Sequence, residues 1–464
     1  MAKDNTENTS PQQTGQADKK KEFEEIPEEK VEPENGKKKR KYKKKADDNN
    51  YYNFAVSVIN YLNNNYEFRY NIVLTEYEYI DKNSGSDKFH FFDDRTYNAV
   101  LADLLLTGGL PVKQDLYKTL IYGELSPEYN PFKEYLQSLD KWSRGDIDYI
   151  SEFLKIIKLP DDNKREFLKF AFKKWFVSYV RSLWDDHAFN HQCLVLTGGQ
   201  GKGKSTFLMS LIPEDMRYSY LYLGNFNTSN KDHELKLATT MMILLEELSV
   251  LNKNELESVK ATITQPYVKL RKAYGRADVK APRRSSFAGT TNKKEILRDL
   301  TGNRRWLVFE IDDIYLDKLK EFDINKIYSQ AYYLSKPGNF EYWFDKADNK
   351  IINEFNEEFR EKSFIEELLL LHFRKPSKEE DERKDYEIML PAEIIAHLNE
   401  KYPKMNMNDS YKAIVGQVLS HYNFEKKSKK CHGTPLKGWV VKTIQTTSML
   451  NEWKEEDEQE RFDI

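Results

Sequence analysis

The sequence predicts an α/β core, with an α+β and helical region before it and a helix–helix–strand module after it. Three observations carry this. Leu194-Val-Leu-Thr-Gly-Gly-Gln-Gly-Lys-Gly-Lys-Ser-Thr206 runs from apolar residues into a glycine-rich turn, and Phe207-Leu-Met-Ser-Leu-Ile212 continues as a helix. Met241-Met-Ile-Leu-Leu245 is an apolar strand that ends in Glu246-Glu247. Ser286-Phe-Ala-Gly-Thr-Thr-Asn292 and Trp306-Leu-Val-Phe-Glu-Ile311 read as two further strands.

At 464 residues the chain is long enough for two or three domains with a sizeable core. Lys and Arg total 73 against 76 Asp and Glu, so the net charge of −3 says nothing about nucleic acid, and local clusters must carry that argument. Two cysteines, Cys193 and Cys431, exclude a disulfide framework and a Cys-rich zinc site, and fit a reducing cytoplasm. No apolar run approaches the ~20 residues of a membrane span, and the N-terminus lacks a signal-peptide segment.

Residues 1–49 are polar and block-charged, acidic from Glu22 to Glu34 and basic from Lys37 to Lys45. They are expected to be a disordered charged tail, either merely solvated or an electrostatic attachment to nucleic acid. Residues 50–190 form the N-terminal strand and helical region. Tyr66 to Tyr79 alternates apolar and polar residues as strands do. Tyr97 to Leu106 has helical periodicity, and Asn130 to Leu139 is a helix with Pro131 in its first turn. Asn163 to Trp184 is a long helix whose Phe and Trp stripe reads as core rather than a base-stacking surface. His187 and His191 lie four apart without carboxylate or Cys partners at helical spacing, which does not make a metal site.

Residues 191–312 hold the chemistry. Gly198, Gly203, Lys204 and Ser205 fit G-x-x-x-x-G-K-[ST], the phosphate-binding P-loop. Its nucleotide-binding residues are expected to be Gly198, Gly199, Gln200, Gly201, Lys202, Gly203, Lys204, Ser205 and Thr206. Glycines let successive backbone N–H groups curl around phosphates. Lys204 would reach the β- and γ-phosphates, and the Ser205 hydroxyl would ligate Mg²⁺. Glu246-Glu247 at a strand end is the Walker B pattern; one carboxylate orients Mg²⁺, assigned to Glu246, and the other polarises water. Asn292 is placed to hydrogen-bond the γ-phosphate or the attacking water.

Between these strands runs a basic stretch: Lys260, Lys269, Arg271, Lys272, Arg276, Lys280, Arg283 and Arg284, with Tyr267, Tyr274 and Gly275 among them. Cations around aromatics and a glycine turn suit a hairpin gripping single-stranded backbone, with a solvated basic face as the plainer alternative. Arg304 and Arg305, at the start of the last strand, are placed to stabilise transition-state charge on a neighbouring subunit's nucleotide.

Residues 313–375 read as a helical extension, including Ile324 to Leu334, and 376–388 as a charged linker. Over 389–445, helices from Pro391 and Ser410 precede a basic turn, Lys426-Lys-Ser-Lys-Lys430, and the strand Trp439 to Lys442, the order of a winged helix. Residues 446–464 are an acidic tail.

From about Phe68 to Lys442 the chain resembles the virulence-associated E family of phage and mobile-element proteins. That family is similar to superfamily 3 helicases, a branch of AAA+ ATPases. The resemblance rests on Gly198 to Thr206, Leu245-Glu-Glu-Leu248, Arg271 to Arg276, Pro282-Arg-Arg284, Gly289-Thr-Thr-Asn292 and Thr301-Gly-Asn-Arg-Arg305. Lys204 and Asn292 are 88 positions apart (292 − 204), a compact core of the superfamily 3 kind. The resemblance implies sensor 1 for Asn292, an arginine finger for Arg304 or Arg305, a DNA-contacting hairpin through Lys269, Arg271, Lys272 and Arg276, and a ring of six subunits. It also implies a bacterial host cytoplasm. The family's Trp-Asp-Gly element is replaced here by Lys141-Trp-Ser-Arg-Gly145, and no function is carried over to it. Many relatives adjoin a primase domain; this chain shows no primase acid cluster, so that activity would come from a separate protein.

Two functions follow as expectations. The first is a DNA helicase or translocase that uses ATP and Mg²⁺ to replicate a phage or mobile element. Single-stranded DNA would lie in the ring channel, and the winged helix is a candidate duplex contact. The second is an ATP-switched replication initiator or regulator that binds DNA without unwinding it.

Overall fold

A computed structural model describes residues 47–444 apart from 225, 227–229, 272–277, 300–302, 378–385 and 432–433. The charged tail up to residue 46 and the acidic tail 446–464 lie outside the described residues. The described residues divide into two units between Ser57 and Val58. The described part of the first is the start of the helix Asp47–Asn65; the second contains everything below.

Among the described residues, the centre is a five-stranded sheet in the order Trp306–Glu310, Cys193–Thr197, Ser286–Thr291, Met242–Leu245, Leu221–Leu223. All neighbours are parallel. The fold is therefore mixed α/β around a parallel sheet. Such sheets need cover on both faces, and the side-chain alternation supplies it. Leu194, Leu196, Leu244, Leu307 and Phe309 point into one apolar core; Cys193, Val195, Ile243, Leu245 and Val308 point into another.

The first core is built on the helix Arg165–Trp184, whose Phe172, Trp175, Phe176 and Tyr179 are buried. The aromatic stripe is core, as the sequence indicated. Burying a phenol demands a partner for its hydroxyl. Tyr179 and Tyr328 meet at 2.7 Å, and Tyr328 in turn donates to the Leu211 carbonyl.

In the N-terminal region the alternating stretch is a hairpin, Tyr66–Asn71 against Glu76–Asp81. Fully buried Asn71 donates 2.9 Å bonds to Glu78 and to the Tyr220 hydroxyl, tying this small sheet to the central one. Asn130 caps the helix Pro131–Ser138 by accepting from Phe132 and Lys133 N–H.

A third core gathers Ile365, Leu368 and Leu369 of the helix Phe364–His372 with residues of the helices Pro391–Lys401 and Tyr411–His421 and with Trp439 and Val441. Here the expected basic turn is corrected. Lys426–Cys431 is a strand, paired in register with the longer strand Thr434–Thr443. Lysines fit a strand because their stems and ammonium groups find partners. Lys426 lies 4.2 Å from the Trp439 ring centroid, and Lys429 pairs with Glu393 at 2.7 Å.

The segment through Arg360 and this third core meet at an ion pair. Arg360 and Glu366 are bidentate partners with side chains 2% and 1% exposed, and Tyr422 donates to Glu366 at 2.7 Å. On the other side, Ile296 and Leu297 N–H groups bond the Phe359 carbonyl, and Glu361 N–H returns to Leu297. Residues that follow Asn292 by only a few positions are thus joined to the chain that carries Arg360.

His372, buried in the third core, receives Lys401 at 3.2 Å and contacts the Tyr402 hydroxyl at 2.9 Å. Burial first, then Lys401 and His397, pulls its pKa to about 4. An unfolded histidine titrates near 6.5, so the unfolded chain binds the extra proton first. Stability from neutral His372 is present above pH ~6.5 and declines as pH falls toward 4, by up to about 3 kcal/mol. Thermal melts from pH 7.5 to 5 should show this decline, and His372→Phe should flatten it. An identical pH dependence in the variant would refute the assignment.

Candidate nucleotide site and nucleic-acid interface

The glycine-rich loop leaves the carboxyl end of Cys193–Thr197 and enters the helix Lys204–Ser210. Gly198 has φ +146°, and a Cβ there would stand 2.5 Å from the Ile311 carbonyl oxygen. Only glycine lets the end of the neighbouring strand pack so closely on the loop.

Lys204 is 7% exposed. Its ammonium donates to the carbonyls of Gly198 at 2.6 Å and Gly199 at 2.7 Å, and to Asn292 Oδ1 at 2.9 Å. Burial pulls its pKa below the ordinary lysine value, and the Glu247 carboxylate offsets part of that. Asn292 Nδ2 donates to Glu247 Oε2 at 2.8 Å. Lys204, Asn292 and Glu247 thus form one hydrogen-bonded chain across three strand ends.

Topology creates this chain. The strand Ser286–Thr291 is inserted between the loop strand and the acid-bearing strand, so the residue after it lies between lysine and acid. Ligands of open parallel sheets bind at such carboxyl ends. Glu247 is held further by the Thr291 and Ser249 hydroxyls. Its backbone sits at φ +51°, ψ 63°, a left-handed conformation that non-glycine residues rarely adopt. Opposite, a Cβ on Gly289 would stand 2.6 Å from Leu248 Cδ1; its absence lets the turn after Glu247 lie directly on the Asn292 strand.

The chain of bonds runs through Glu247, while Glu246 is exposed at the strand's end. Ser205 is half-buried and Thr206 exposed in the first turn after the loop. The Ser205 hydroxyl and the two carboxylates are hard oxygen donors of the kind Mg²⁺ takes. Sequence reasoning missed Thr291 and Ser249. Their signal was present, hydroxyl residues one before Asn292 and two after Glu247, but nothing local says that they converge.

Arg304 and Arg305 form a short 3-10 turn before Trp306–Glu310. Trp306 pairs with Cys193, and Glu310 with Thr197. The arginines therefore lie at the opposite edge of the sheet from the loop, five residues of strand or roughly 16 Å away. They line a cleft of about 510 Å³ with Asp185, His191, Trp343 and Asn349. Arg304 is exposed; Arg305 is half-buried, and its Nε has no hydrogen-bond partner among the described residues.

The basic stretch needs correction. Lys260 is buried and ion-paired with Asp299 and Glu257. Arg283 is fully buried and donates to the carbonyls of Gln265, Ser285, Asn190 and Ile263. Arg284 is buried against Asp186 at 2.6 Å. These three cations satisfy internal acceptors and present no charge to a ligand. The strands Tyr267–Arg271 and Asp278–Pro282 form the two sides of the expected hairpin. Lys269 and Lys280 are exposed and directly paired across it. Lys280 also lies 3.9 Å from the Tyr267 ring centroid. Lys272 and Arg276 lie outside the described residues, as does the side chain of Arg271.

A parallel α/β sheet with lysine, asparagine and carboxylate linked at its carboxyl edge defines a candidate phosphate-handling protein. Residues 136–361 match the family model of the virulence-associated protein E-like domain. The matched span includes the loop, both acids, Asn292 and the arginine pair. Among solved structures, the apo NrS-1 C terminal region (305-718) aligns at 14% identity and TM-score 0.43, covering 84% of this chain and 99% of that one. Its A form aligns at 14% identity and TM-score 0.41, covering 84% and 98%. No curated protein matches. No helix among the described residues is long and apolar enough to cross a membrane.

Proposed function

We propose that this chain is an ATP-dependent DNA helicase or translocase, with an AAA+-like P-loop core, that works as a ring in replicating a phage or mobile element. The observation that carries the reading is the Lys204–Asn292–Glu247 chain at the mouth of the glycine loop. Lys204 would move from the loop carbonyls to the β- and γ-phosphates. Asn292 would report the γ-phosphate to Glu247, which would polarise water. Ser205 and Glu246 would hold Mg²⁺.

The Lys269–Lys280 pair supports a nucleic-acid surface. Like charges directly opposite on a ladder are unfavourable, and a phosphate backbone would relieve them. The C-terminal order supports a winged helix. A helix and short strand, Phe364–Arg374, lead into two helices and the hairpin that ends at Thr443. Exposed Lys426, Lys430 and Lys437 on that hairpin favour the second reading, an ATP-switched initiator that binds duplex without unwinding.

ATPase rates with and without single-stranded DNA, run beside a strand-displacement assay, separate the readings. The helicase reading expects stimulated hydrolysis and displaced strand. Hydrolysis with duplex binding but no displacement would select the initiator. No hydrolysis under any condition would overturn the helicase reading.

A further inference from the structure

The sheet order places different elements on the two flanks of the glycine loop. On one flank the strand Ser286–Thr291 delivers Asn292, which meets the Lys204 ammonium at 2.9 Å. That flank would receive the terminal phosphate. On the other flank the strand Trp306–Glu310 runs on into a turn that touches the loop at two places. Gly198 is covered by the Ile311 carbonyl, and the Cβ position of Gly203 lies 3.0 Å from Leu316 and 3.4 Å from Ile314. A nucleoside triphosphate whose terminal phosphate lies toward Asn292 must leave the loop on this second side.

What stands there is an aromatic side chain at the surface. Tyr315 is 42% exposed and Leu316 37%, directly after the buried Ile314. The turn that carries them is fixed. Asp313 and Ile314 pair with Lys158 and Ile157, Asp312 N–H bonds the Lys158 carbonyl at 2.8 Å, and Tyr315 N–H bonds the Ile156 carbonyl at 3.0 Å. The Lys158–Asp312 ion pair at 2.6 Å closes the same corner. The Lys318 ammonium sits over one face of the Tyr315 ring, 4.8 Å from its centroid, so a base would stack on the opposite face. A rigidly mounted, half-exposed aromatic ring beside a phosphate loop has the chemistry of a stacking platform.

We propose that Tyr315, flanked by Leu316, is the shelf on which the base of the bound nucleotide stacks, so that the Asp312–Leu316 turn is the nucleobase subsite of the phosphate site. The inference rests on the nucleotide reading above. Stacking engages the face of a base; inorganic tripolyphosphate has no such face and gains nothing from Tyr315.

That difference supplies the test. ATP and tripolyphosphate are titrated by calorimetry into the full chain, Tyr315→Ala, Tyr315→Trp and Lys204→Ala. The subsite predicts that Tyr315→Ala weakens ATP about tenfold, leaves tripolyphosphate unchanged, and is rescued by Tyr315→Trp. Lys204→Ala should weaken both ligands. Unaltered ATP affinity in Tyr315→Ala would overturn the subsite alone, as would equal losses of ATP and tripolyphosphate, which would show that the turn merely shapes the loop. If Lys204→Ala changes neither ligand's affinity, or the wild type binds neither, the nucleotide reading itself fails and the subsite falls with it.

Discussion

Lys204→Ala and Glu247→Gln are expected to stop ATP turnover at different steps. Lys204 is nearly buried, and its ammonium already accepts the cost of leaving water in order to bond Gly198, Gly199 and Asn292. Its removal takes away the charge facing the β- and γ-phosphates and one end of the chain to Glu247. Loss of a single preorganised donor costs about 10²–10³ in rate, and a buried charge should cost at least as much. ATP binding should fall with it. Glu247→Gln is nearly the same size and keeps one acceptor for Asn292, so ATP should still bind. Turnover should fail because an amide cannot take a proton from water. Glu246→Gln separates the acids: it should act through Mg²⁺ dependence, not through the Asn292 network. Equilibrium binding and steady-state hydrolysis, measured separately, check all three. Wild-type turnover in Lys204→Ala and Glu247→Gln would sink the assignment.

The second large effect concerns Arg304 and Arg305. Their own loop lies at the far edge of the sheet, so they cannot serve it in cis. An arginine supplied from a neighbour contributes about 10³–10⁵ in rate. Arg304→Ala or Arg305→Ala should therefore bind ATP nearly normally and hydrolyse it poorly. Mixing either inactive variant with Lys204→Ala restores, at some interfaces, an intact loop from one protein opposite an intact arginine from the other. Activity should reappear in the mixture. Full specific activity in a monomer, or unchanged hydrolysis without the arginines, would refute both the shared site and the ring.

Local features were the legible ones. The glycine loop, the strands ending in Glu246-Glu247 and Asn292, and the aromatic core helix each announce themselves within a short window, because strand period and turn chemistry are local. The central sheet's order was not legible, since it depends on crossovers between distant segments. The distinction between Glu247 and Glu246 rests on a left-handed backbone and on bonds to Thr291 and Asn292, contacts that no adjacent residues encode. The basic stretch misled for a related reason. A lysine or arginine looks alike in sequence whether it faces water, as Lys269 does, or is sealed against carbonyls, as Arg283 is. Tyr315 gave no signal beyond a single aromatic after a strand; only the register of that strand beside the loop gives it meaning.

The pairing of Arg360 with Glu366 bears on how this protein can be divided. Arg360 belongs to the segment bonded to the residues just beyond Asn292, whereas Glu366 and Tyr422 belong to the C-terminal core. Separating Glu366 from Arg360 would leave the enclosed guanidinium with only Glu357, which its Nε meets at 3.0 Å, and would cost part of the about 3–5 kcal/mol seen when one partner of a buried pair is removed. The C-terminal part is therefore no detachable accessory. Recombination or engineering that exchanges it must carry the acid and the tyrosine along with it. Related chains should vary this end as an inherited block with its half of the lock, even where the surface it shows to DNA is free to change.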